Sequence, residues 1–253
     1  LSDYVASFLE KKGITPLFVV PGSSTIHLLD SIGKNTNLQH IATQTEHAAA
    51  LAAEGYAKLT GKVAAAIIPT GSSAIQALTA VANAWVDSTP LLVISGQTRS
   101  DQMASGTLRQ LGVQELNFIE MVKAITKYAA RVTDPTTIRY HLEKAFSLAQ
   151  QNRPGPVWVE LPLDLQGMDI NEEELLPFQP EISVSSSNPP QNFIFESVLN
   201  DISHAKRPVL LIGNGIRLAR AEQELLQLID SLGIPVLTSR RGADLLPEDH
   251  PLF

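Results

Sequence analysis

The stretch VAAAIIPTGSSAIQALTAVANAWVDSTPLLVIS, residues 63–95, decides the fold class of this protein. It starts with a continuous apolar run at 63–68, continues with a helical pattern over 73–86 and ends with a second apolar run at 91–95. Continuous apolar runs of this length are typical of strands that are covered on both faces, as in parallel sheets. The order strand, helix, strand is the unit from which such sheets are built, so we predict a parallel sheet here.

The same alternation of strands and helices continues on both sides of this unit. We therefore predict an α/β fold, a mostly parallel sheet with helices on both faces, for a first domain at residues 1–168. The further predicted strands lie at 17–20, 38–41, 127–132 and 157–161. The further predicted helices lie at 2–12 with Ser2 as the expected cap, at 25–32, at 118–122, at 135–151 and in the alanine-rich stretch that Gly61 ends.

The texture of the chain changes after residue 168. The stretch NEEELLPFQPEISVSSSNPPQN, residues 171–192, is acidic and then rich in proline and serine, and it predicts a linker at 169–192. Beyond it we predict helices and strands in alternation, at 193–203, 209–212, 219–232 and 234–237. We expect 193–253 to be the first part of a second, truncated α/β domain, because so short a piece cannot bury a full core.

The bulk composition excludes several classes of protein. The chain has 253 residues and a formal net charge of −7, whereas a binder of duplex nucleic acid needs a basic surface for the phosphates. It has no cysteine, which excludes disulfides and thiolate metal sites and fits the reducing cytoplasm. No apolar run approaches the roughly 18 residues that a membrane helix needs, and the six histidines show no ligand spacing. We expect a cytoplasmic protein that binds neither nucleic acid nor membrane and holds no metal within this chain.

Glu46 stands at the start of an alanine-rich helix, TEHAAALAAEGYA at residues 45–57, and two interpretations of it are open. With Thr43 it has the spacing of a capping box, in which both side chains satisfy free amides at the helix start. Alternatively, the small alanine face lets another surface approach closely, and a carboxyl held in that apolar contact can share a proton with a ligand. A general acid or base must do this.

Two turns that follow predicted strands are also candidate binding sites. Gly71 lies between a strand and a helix start, a layout that aims backbone amides at a ligand, although Ser73 and Gln76 have capping-box spacing and leave a plain cap open. Residues 213–215, Gly-Asn-Gly, partly match a dinucleotide-binding fingerprint, but Leu218 stands where its third glycine belongs. The second turn is therefore a weak signal for a nucleotide site.

Several stretches together resemble the thiamine diphosphate enzymes of the acetolactate synthase type. Each stretch alone is short, and the resemblance rests on the set as a whole, in its order and spacing along nearly the entire chain. In the first domain they are FVVPGSS (18–24), TEHAAALAAEGYAKLTGKVA (45–64), ANAWVDSTPLLVISGQ (82–97), RQLGVQELN (109–117), ITKYA (125–129) and RPGPVWVELPLDLQ (153–166). In the second they are KRPVLLIGNGI (206–216) and GIPVLTSRRGADLLPEDHPL (233–252).

The resemblance implies a pyrimidine-binding domain of flavodoxin-like fold, followed by the start of the family's central domain. It implies that Glu46 hydrogen-bonds the N1′ atom of the cofactor's aminopyrimidine and so activates a cofactor held by the neighbouring subunit, across a dimer interface formed by the alanine face. The residues that would line the pyrimidine pocket are Pro21, Gly22, Thr70, Gly71 and Gln76, and Gln114 would face the substrate.

The activity that the resemblance implies is that of a 2-oxo acid carboligase or decarboxylase, a transferase or lyase acting on a substrate such as pyruvate. The implied cofactors are thiamine diphosphate and Mg²⁺, and the implied assembly is a homodimer or homotetramer. In this family Mg²⁺ is bound mainly by a C-terminal domain that these residues do not include. We therefore expect this chain to work as part of a longer one and to be inactive alone.

At three places the chain departs from the family pattern. Ser72 and Ser73 stand where the family has Pro-Gly, His47 stands where a glutamine is common, and Val113 replaces the phenylalanine of true acetolactate synthases. The last change leaves the substrate pair open. A second hypothesis is therefore a non-catalytic module of the same fold, either a split subunit or a degenerate assembly module. A nucleotide-binding dehydrogenase that uses 213–215 is the third.

Overall fold

The computed structural model describes residues 1–180 and 195–253. The chain divides into two compact units, Leu1–Pro180 and Glu181–Phe253. The first part of the predicted linker, 169–180, lies in the first unit, where Leu175 is buried in the core. The rest of the predicted linker, and the first two residues of the helix predicted at 193–203, lie outside the described residues.

The first unit is built on a six-stranded sheet in which every neighbouring pair of strands is parallel. Its strands are β1 Leu17–Val19, β2 His40–Ala42, β3 Ala64–Ile68, β4 Leu91–Gln97, β5 Tyr128–Arg131 and β6 Val157–Pro162. The spatial order is β2-β1-β3-β4-β6-β5. It follows the flavodoxin-like order as far as β4 and departs from it where β6 lies between β4 and β5.

Helices cover both faces of this sheet, as predicted. They are α1 Ser2–Lys11, α2 Ile26–Lys34, α3 Glu46–Thr60, α4 Leu78–Asp87, α5 Phe118–Val122, α6 Ile138–Gln150 and α7 Leu163–Gln166. The alternation of side chains along β3 shows the two layers, because Ala65 and Ile67 pack in the core on the side of α1, α2 and α6. Ala64, Ala66 and Ile68 pack in the core on the side of α3, α4 and α5.

Two predicted helices begin differently from expectation. The helix predicted at 25–32 starts as a 3₁₀ turn, Ser23–Thr25, and continues as α2. The helix predicted at 73–86 starts as a longer 3₁₀ turn, Ser72–Ala77, and continues as α4. Tighter 3₁₀ turns are frequent at the N-termini of α-helices, and they lack the helical period on which the prediction relied.

Ser2 does not cap α1. It is the first helical residue, and its hydroxyl donates a 2.9 Å hydrogen bond to the carbonyl oxygen of Gln166 instead. The strand predicted at 38–41 is shifted to β2, because His40 is the residue that pairs with Leu17 of β1 while Leu38 turns into the core. The remaining strand ends differ by one or two residues, the usual uncertainty of such boundaries.

The second unit contains a short parallel pair of strands, as expected for the start of an α/β domain. The strands are β7 Leu210–Ile212 and β8 Val236–Thr238, and the helices are α8 Phe195–His204, α9 Gly215–Ala219 and α10 Glu222–Leu232. The helix predicted at 219–232 is α10 and starts three residues later, because Ala219 is the last residue of α9 and Arg220 ends that helix in a left-handed conformation with φ 55°. Its described core is a small cluster that includes Ile212, Leu225 and Val236. Among the described residues, no helix is both long and apolar enough to cross a membrane.

Candidate functional site

The predicted site residues of the first unit gather at one edge of the sheet. Parallel strands share their carboxyl ends on the same edge, which is where ligands bind in open α/β sheets. Strand β1 leads into Pro21 and Gly22, the neighbouring strand β3 leads into Thr70 and Gly71, and β2 leads into α3, whose first residue is Glu46. The topology therefore brings together residues that are up to 50 positions apart in the sequence.

The start of α3 differs from the predicted capping box. Thr45 is the N-cap, and its hydroxyl accepts a 3.1 Å hydrogen bond from the amide of Ala48. Thr43 instead donates to the carbonyl oxygen of Thr45, at 3.1 Å. The capping box between Thr43 and Glu46 is therefore wrong, because the helix starts two residues later than that pairing requires. Gly61 ends α3 in the left-handed conformation, as predicted.

Glu46 is thereby left outside the predicted capping box, as an acid in the first turn of α3. It is only 6% exposed. Among residues 1–180 and 195–253, none forms a hydrogen bond or ion pair with its carboxylate. Its oxygens do not belong to the fully buried side-chain atoms without a partner, so the carboxylate keeps contact with its surroundings at the sheet edge. The geometry therefore excludes the capping box with Thr43 and leaves the carboxylate unpaired among the described residues.

The alanine face of α3 packs mainly against the protein's own sheet. Ala49, Ala50, Ala53 and Ala57 are buried in the same core as the side chains of β3. The expectation that this face is the surface for a partner subunit is wrong for these four residues, because the sheet of the same chain already covers them. The side of α3 that is left partly open carries Ala48, Leu51, Ala52 and the exposed Gly55.

Gly71 and Gln114, predicted for cofactor and substrate respectively, are in contact. A Cβ atom on Gly71 would lie 2.9 Å from the Cβ of Gln114. Gly71 has φ 96°, which favours glycine, and Gln114 itself has φ 58°. The capping box predicted for Ser73 and Gln76 is wrong, because no side chain caps the 3₁₀ turn that follows Gly71. Both residues lie inside that turn, so their spacing does not mark its start.

The remaining predicted residues line the same edge. Gly22 is extended and packs so closely on Pro69 that a Cβ atom would overlap the proline ring, whereas Pro21 is exposed. Gln76 is also exposed, and its carbonyl oxygen lies 3.3 Å from Nδ1 of His47, next to Glu46. The 3₁₀ turn after Gly71 therefore lies against the start of α3.

A buried polar network begins at Thr70 and runs inward from this edge. The Thr70 hydroxyl donates to Oε1 of Gln97 at 3.1 Å, and Nε2 of Gln97 donates to Oε1 of Glu160 at 2.9 Å. The other Glu160 oxygen forms an ion pair with Nε of Arg131. Burial raises the pKa of Glu160, and the Arg131 charge and the hydrogen bonds from Arg131 and Gln97 oppose the rise.

Sequence reasoning missed this network, although a signal for it was present. Gln97 and Glu160 lie in two strands, β4 and β6, whose residues are all buried. A charged residue in a strand that is covered on both faces needs a buried partner. The motif VELP and the motif SGQ therefore predict interior polar contacts, but they do not say which residues meet.

The Gly-Asn-Gly turn at 213–215 follows β7, as its position in the sequence predicted. Gly215 starts α9, a helix of only five residues, and a Cβ atom on Gly242 would lie 3.1 Å from Cα of Gly213. Two glycine-bearing turns thus pack against each other here. In the part of the chain that the structure describes, no group of three or more acidic or histidine side chains could hold a metal ion.

Two family models match the chain. The thiamine pyrophosphate enzyme N-terminal TPP binding domain matches residues 1–121, and the thiamine pyrophosphate enzyme central domain matches residues 195–253. The chain belongs to the thiamine pyrophosphate enzymes, with the N-terminal and central domains represented in that order. The resemblance found in the sequence is thereby confirmed.

Similar proteins of known name include acetolactate synthase large subunits. The chain is 33% identical to the acetolactate synthase large subunit of Corynebacterium glutamicum, over 96% of this chain and 38% of that protein. It is 31% identical to the acetolactate synthase large subunit of Lactococcus lactis, over 99% of this chain and 43% of that protein. The chain spans about two fifths of the length of the curated relatives it matches.

A solved structure supports the fold. The crystal structure of benzoylformate decarboxylase from Polynucleobacter necessarius matches with a TM-score of 0.82 and 24% sequence identity. The match covers 100% of this chain and 46% of that one. At this identity the structural similarity establishes the α/β fold alone.

Proposed function

We propose that this chain is the N-terminal portion of a thiamine diphosphate-dependent 2-oxo acid carboligase or decarboxylase that resembles acetolactate synthase. The observation that carries the proposal is Glu46, a residue that is 6% exposed at the start of α3 and whose carboxylate has no partner among the described residues. It lies at the sheet edge where Gly22, Thr70 and Gly71 also lie. A proton-sharing group held at such an edge is what an aminopyrimidine cofactor requires.

The residues at this edge fit the aminopyrimidine part of the cofactor. Gly22 and Gly71 let the turns after β1 and β3 pack directly on Pro69 and Gln114, which fixes the backbone of both turns at this edge. The Thr70 hydroxyl donates inward to Gln97 and can only accept a hydrogen bond from a ligand. Gln76 lies exposed in the 3₁₀ turn that precedes α4. Pro21 completes the set as the residue before the first turn.

Thiamine diphosphate, when bound, supplies the nucleophilic carbon that adds to the carbonyl group of a 2-oxo acid such as pyruvate. In the proposal, Glu46 holds a proton against the N1′ atom of the aminopyrimidine, and Gln114 faces the 2-oxo acid. The diphosphate and Mg²⁺ would be held mainly by residues outside these 253 positions. In the proposal the 253 residues therefore have no activity by themselves. The transferase or lyase activity belongs to the longer protein that also holds the diphosphate and Mg²⁺.

The proposed assembly is a homodimer or homotetramer in which Glu46 reaches a cofactor held by the neighbouring subunit. The partly open side of α3, with Leu51 and Gly55, is the surface proposed for that contact. The absence of cysteine from the sequence supports a cytoplasmic location.

Replacement of the proposed acid in the full-length protein that contains this chain tests the function. For Glu46→Gln we expect turnover of 2-oxo acids to fall by about a hundred- to ten-thousand-fold, while the thermal midpoint stays close to that of the parent. The matched control is Glu54→Gln, since Glu54 is a buried acid of the same helix that pairs with Lys58 and lies two turns away from the site. The control should lose stability and keep its rate.

Near-normal turnover in Glu46→Gln would overturn the proposal. The non-catalytic alternative makes a different prediction, because it attributes any failure to Ser72 and Ser73. If the full-length protein does not bind thiamine diphosphate with Mg²⁺, but binds it after Ser72→Pro and Ser73→Gly, the chain is a degenerate module. Both serines can be replaced for this test, since Ser72 is exposed and Ser73 is half-buried.

A further inference from the structure

We propose that Gln97, anchored by Glu160 and Arg131, is a positioning residue that clamps the turn of Gly71 to the segment of Gln114. The clamp sets the distance between the cofactor-facing turn and the substrate-facing glutamine. This inference rests on the proposed function for its kinetic consequence, whereas the clamp itself is a statement about this chain's own contacts.

Gln97 binds both of the segments that meet at Gly71 and Gln114. Its Oε1 accepts from the hydroxyl of Thr70, the residue before Gly71, at 3.1 Å. Its Nε2 donates to the carbonyl oxygen of Leu116, two residues after Gln114, at 2.8 Å. One fully buried side chain therefore joins two segments that are more than 40 residues apart in the sequence.

The orientation of the Gln97 amide is determined by backbone groups. The amide of Thr98 can only donate, and it lies 2.9 Å from Oε1, so this atom is the oxygen. The carbonyl of Leu116 can only accept, so the atom facing it is the nitrogen. The second N–H of that nitrogen then has one direction left, and it meets Glu160 at 2.9 Å.

Glu160 anchors the clamp because both of its oxygens face donors. One oxygen accepts from Gln97 and the other pairs with Arg131. An ionised carboxylate satisfies both donors, whereas an amide offers only one acceptor and must turn its own N–H toward one of them. Glu160 is completely buried, so a mismatch here cannot be relieved by water.

This logic gives a reciprocal test. In Gln97→Glu a carboxylate oxygen of residue 97 faces a carboxylate oxygen of Glu160, so two acceptors meet. In Glu160→Gln one N–H of residue 160 must face an N–H of either Gln97 or Arg131, so two donors meet. In the double variant Gln97→Glu/Glu160→Gln the direction of the bond is reversed: residue 160 donates to residue 97 and still accepts from Arg131, and Thr70 still has an acceptor. Only the bond to Leu116 is lost. Each single variant should therefore be less stable than the double variant. A double-mutant cycle on the free energy of unfolding measures this coupling.

The experiment uses the full-length protein that contains this chain and measures KM for pyruvate, kcat, the dissociation constant of thiamine diphosphate and amide hydrogen exchange. We expect KM to rise about tenfold or more in each single variant, with a smaller change in kcat. In the double the free energy of unfolding should recover, but KM should stay raised because the bond to Leu116 is still missing. Exchange should accelerate at residues 70–71 and 114–116 together. Glu54→Gln is the control, because it changes a partly buried ion pair outside the clamp and should change neither the kinetic constants nor the exchange of these segments.

If the variants at Gln97 and Glu160 do not fold, two milder substitutions at Thr70 test the clamp. Thr70→Val removes the hydroxyl that Gln97 accepts from, and Thr70→Ser keeps it. Valine should accelerate exchange at residues 114–116 as well as at 70–71, and serine should not. A folded variant of Gln97 with unchanged KM and unchanged exchange overturns the clamp. The two proposals can also fail separately. If the variants show accelerated exchange in both segments while the parent protein converts no 2-oxo acid, the clamp is supported and the proposed function is overturned.

Discussion

Gly71 and Gln114 approach so closely that a Cβ atom on the glycine would lie 2.9 Å from the Cβ of the glutamine. The two residues belong to the turn after β3 and to the segment before α5. Their contact brings a residue proposed for the cofactor against one proposed for the substrate. The space between these two segments is thus set by the absence of a side chain at position 71.

Gly71→Ala should destabilise the first unit through two effects. Alanine at φ 96° is strained, and its methyl group would press against Gln114. We expect a loss of about 2–4 kcal/mol in the free energy of unfolding. Gly61→Ala separates the two effects, because Gly61 also has positive φ, at 66°, but has no atom within 4 Å of the Cβ position. It should cost about 1 kcal/mol. Equal losses in urea unfolding would show that the contact with Gln114 carries no energy.

Gly96→Ala tests close packing without backbone strain. Gly96 has no left-handed φ, but a Cβ atom there would overlap the backbone of Ser24, which cannot move as a flexible side chain can. We expect a loss of about 1–3 kcal/mol from overpacking. Gly33→Ala in α2, where the Cβ position is open, should instead stabilise by about 0.5–1 kcal/mol. Thermal unfolding of the two variants in parallel checks both signs, and a Gly96→Ala protein as stable as its parent would contradict the packing seen here.

Glu115 should hold the segment of Gln114 in a pH-dependent way. Burial acts to raise its pKa, but hydrogen bonds from the backbone amides of Leu111, Ala104 and Gly112 outweigh burial and hold the pKa below its ordinary 4.5. A carboxyl with a lowered folded pKa contributes stability above its unfolded pKa, and this contribution is lost as the pH falls through the folded value.

The stability difference between the parent and Glu115→Gln should therefore be largest near neutral pH and shrink in acid. Urea unfolding over a pH series measures it. Glu120→Gln is the control, since Glu120 is an exposed acid of the same region that pairs with Lys123. Exposed pairs of this kind contribute little. A difference that grows in acid would contradict the assignment.

Glu160 should show the opposite dependence on pH. Burial raises its pKa above the ordinary 4.5, and the Arg131 charge and the bonds from Arg131 and Gln97 oppose the rise without cancelling it. The folded protein therefore binds the proton more readily than the unfolded chain, and its free energy of unfolding falls as the pH rises from 4.5 toward the raised value. In Glu160→Gln this downward slope should be absent. Parallel slopes for parent and variant in a pH series would be inconsistent with a raised pKa.

The local features that the sequence predicted well are those with a local physical cause. The apolar run of β3 and the terminator Gly61 of α3 are confirmed, since burial on both faces and positive φ depend on the residue itself. The two predicted capping boxes were wrong because the start of a helix also depends on the neighbouring residues. Thr45, next to Thr43 in the chain, competes for the same cap, and the turn at 72–77 starts as a 3₁₀ helix, so spacing alone did not determine the helix start.

The sequence by itself determined the fold class, the family and the identity of the residues gathered at the sheet edge, because periodicity and ordered motifs are properties of the chain. Only the tertiary structure decided that the Glu46 carboxylate has no partner among the described residues, that Gly71 touches Gln114 and that Gln97 joins both segments to Glu160. These contacts depend on strand order and register, which place residues tens of positions apart within hydrogen-bonding distance. A local pattern carries no information about that distance.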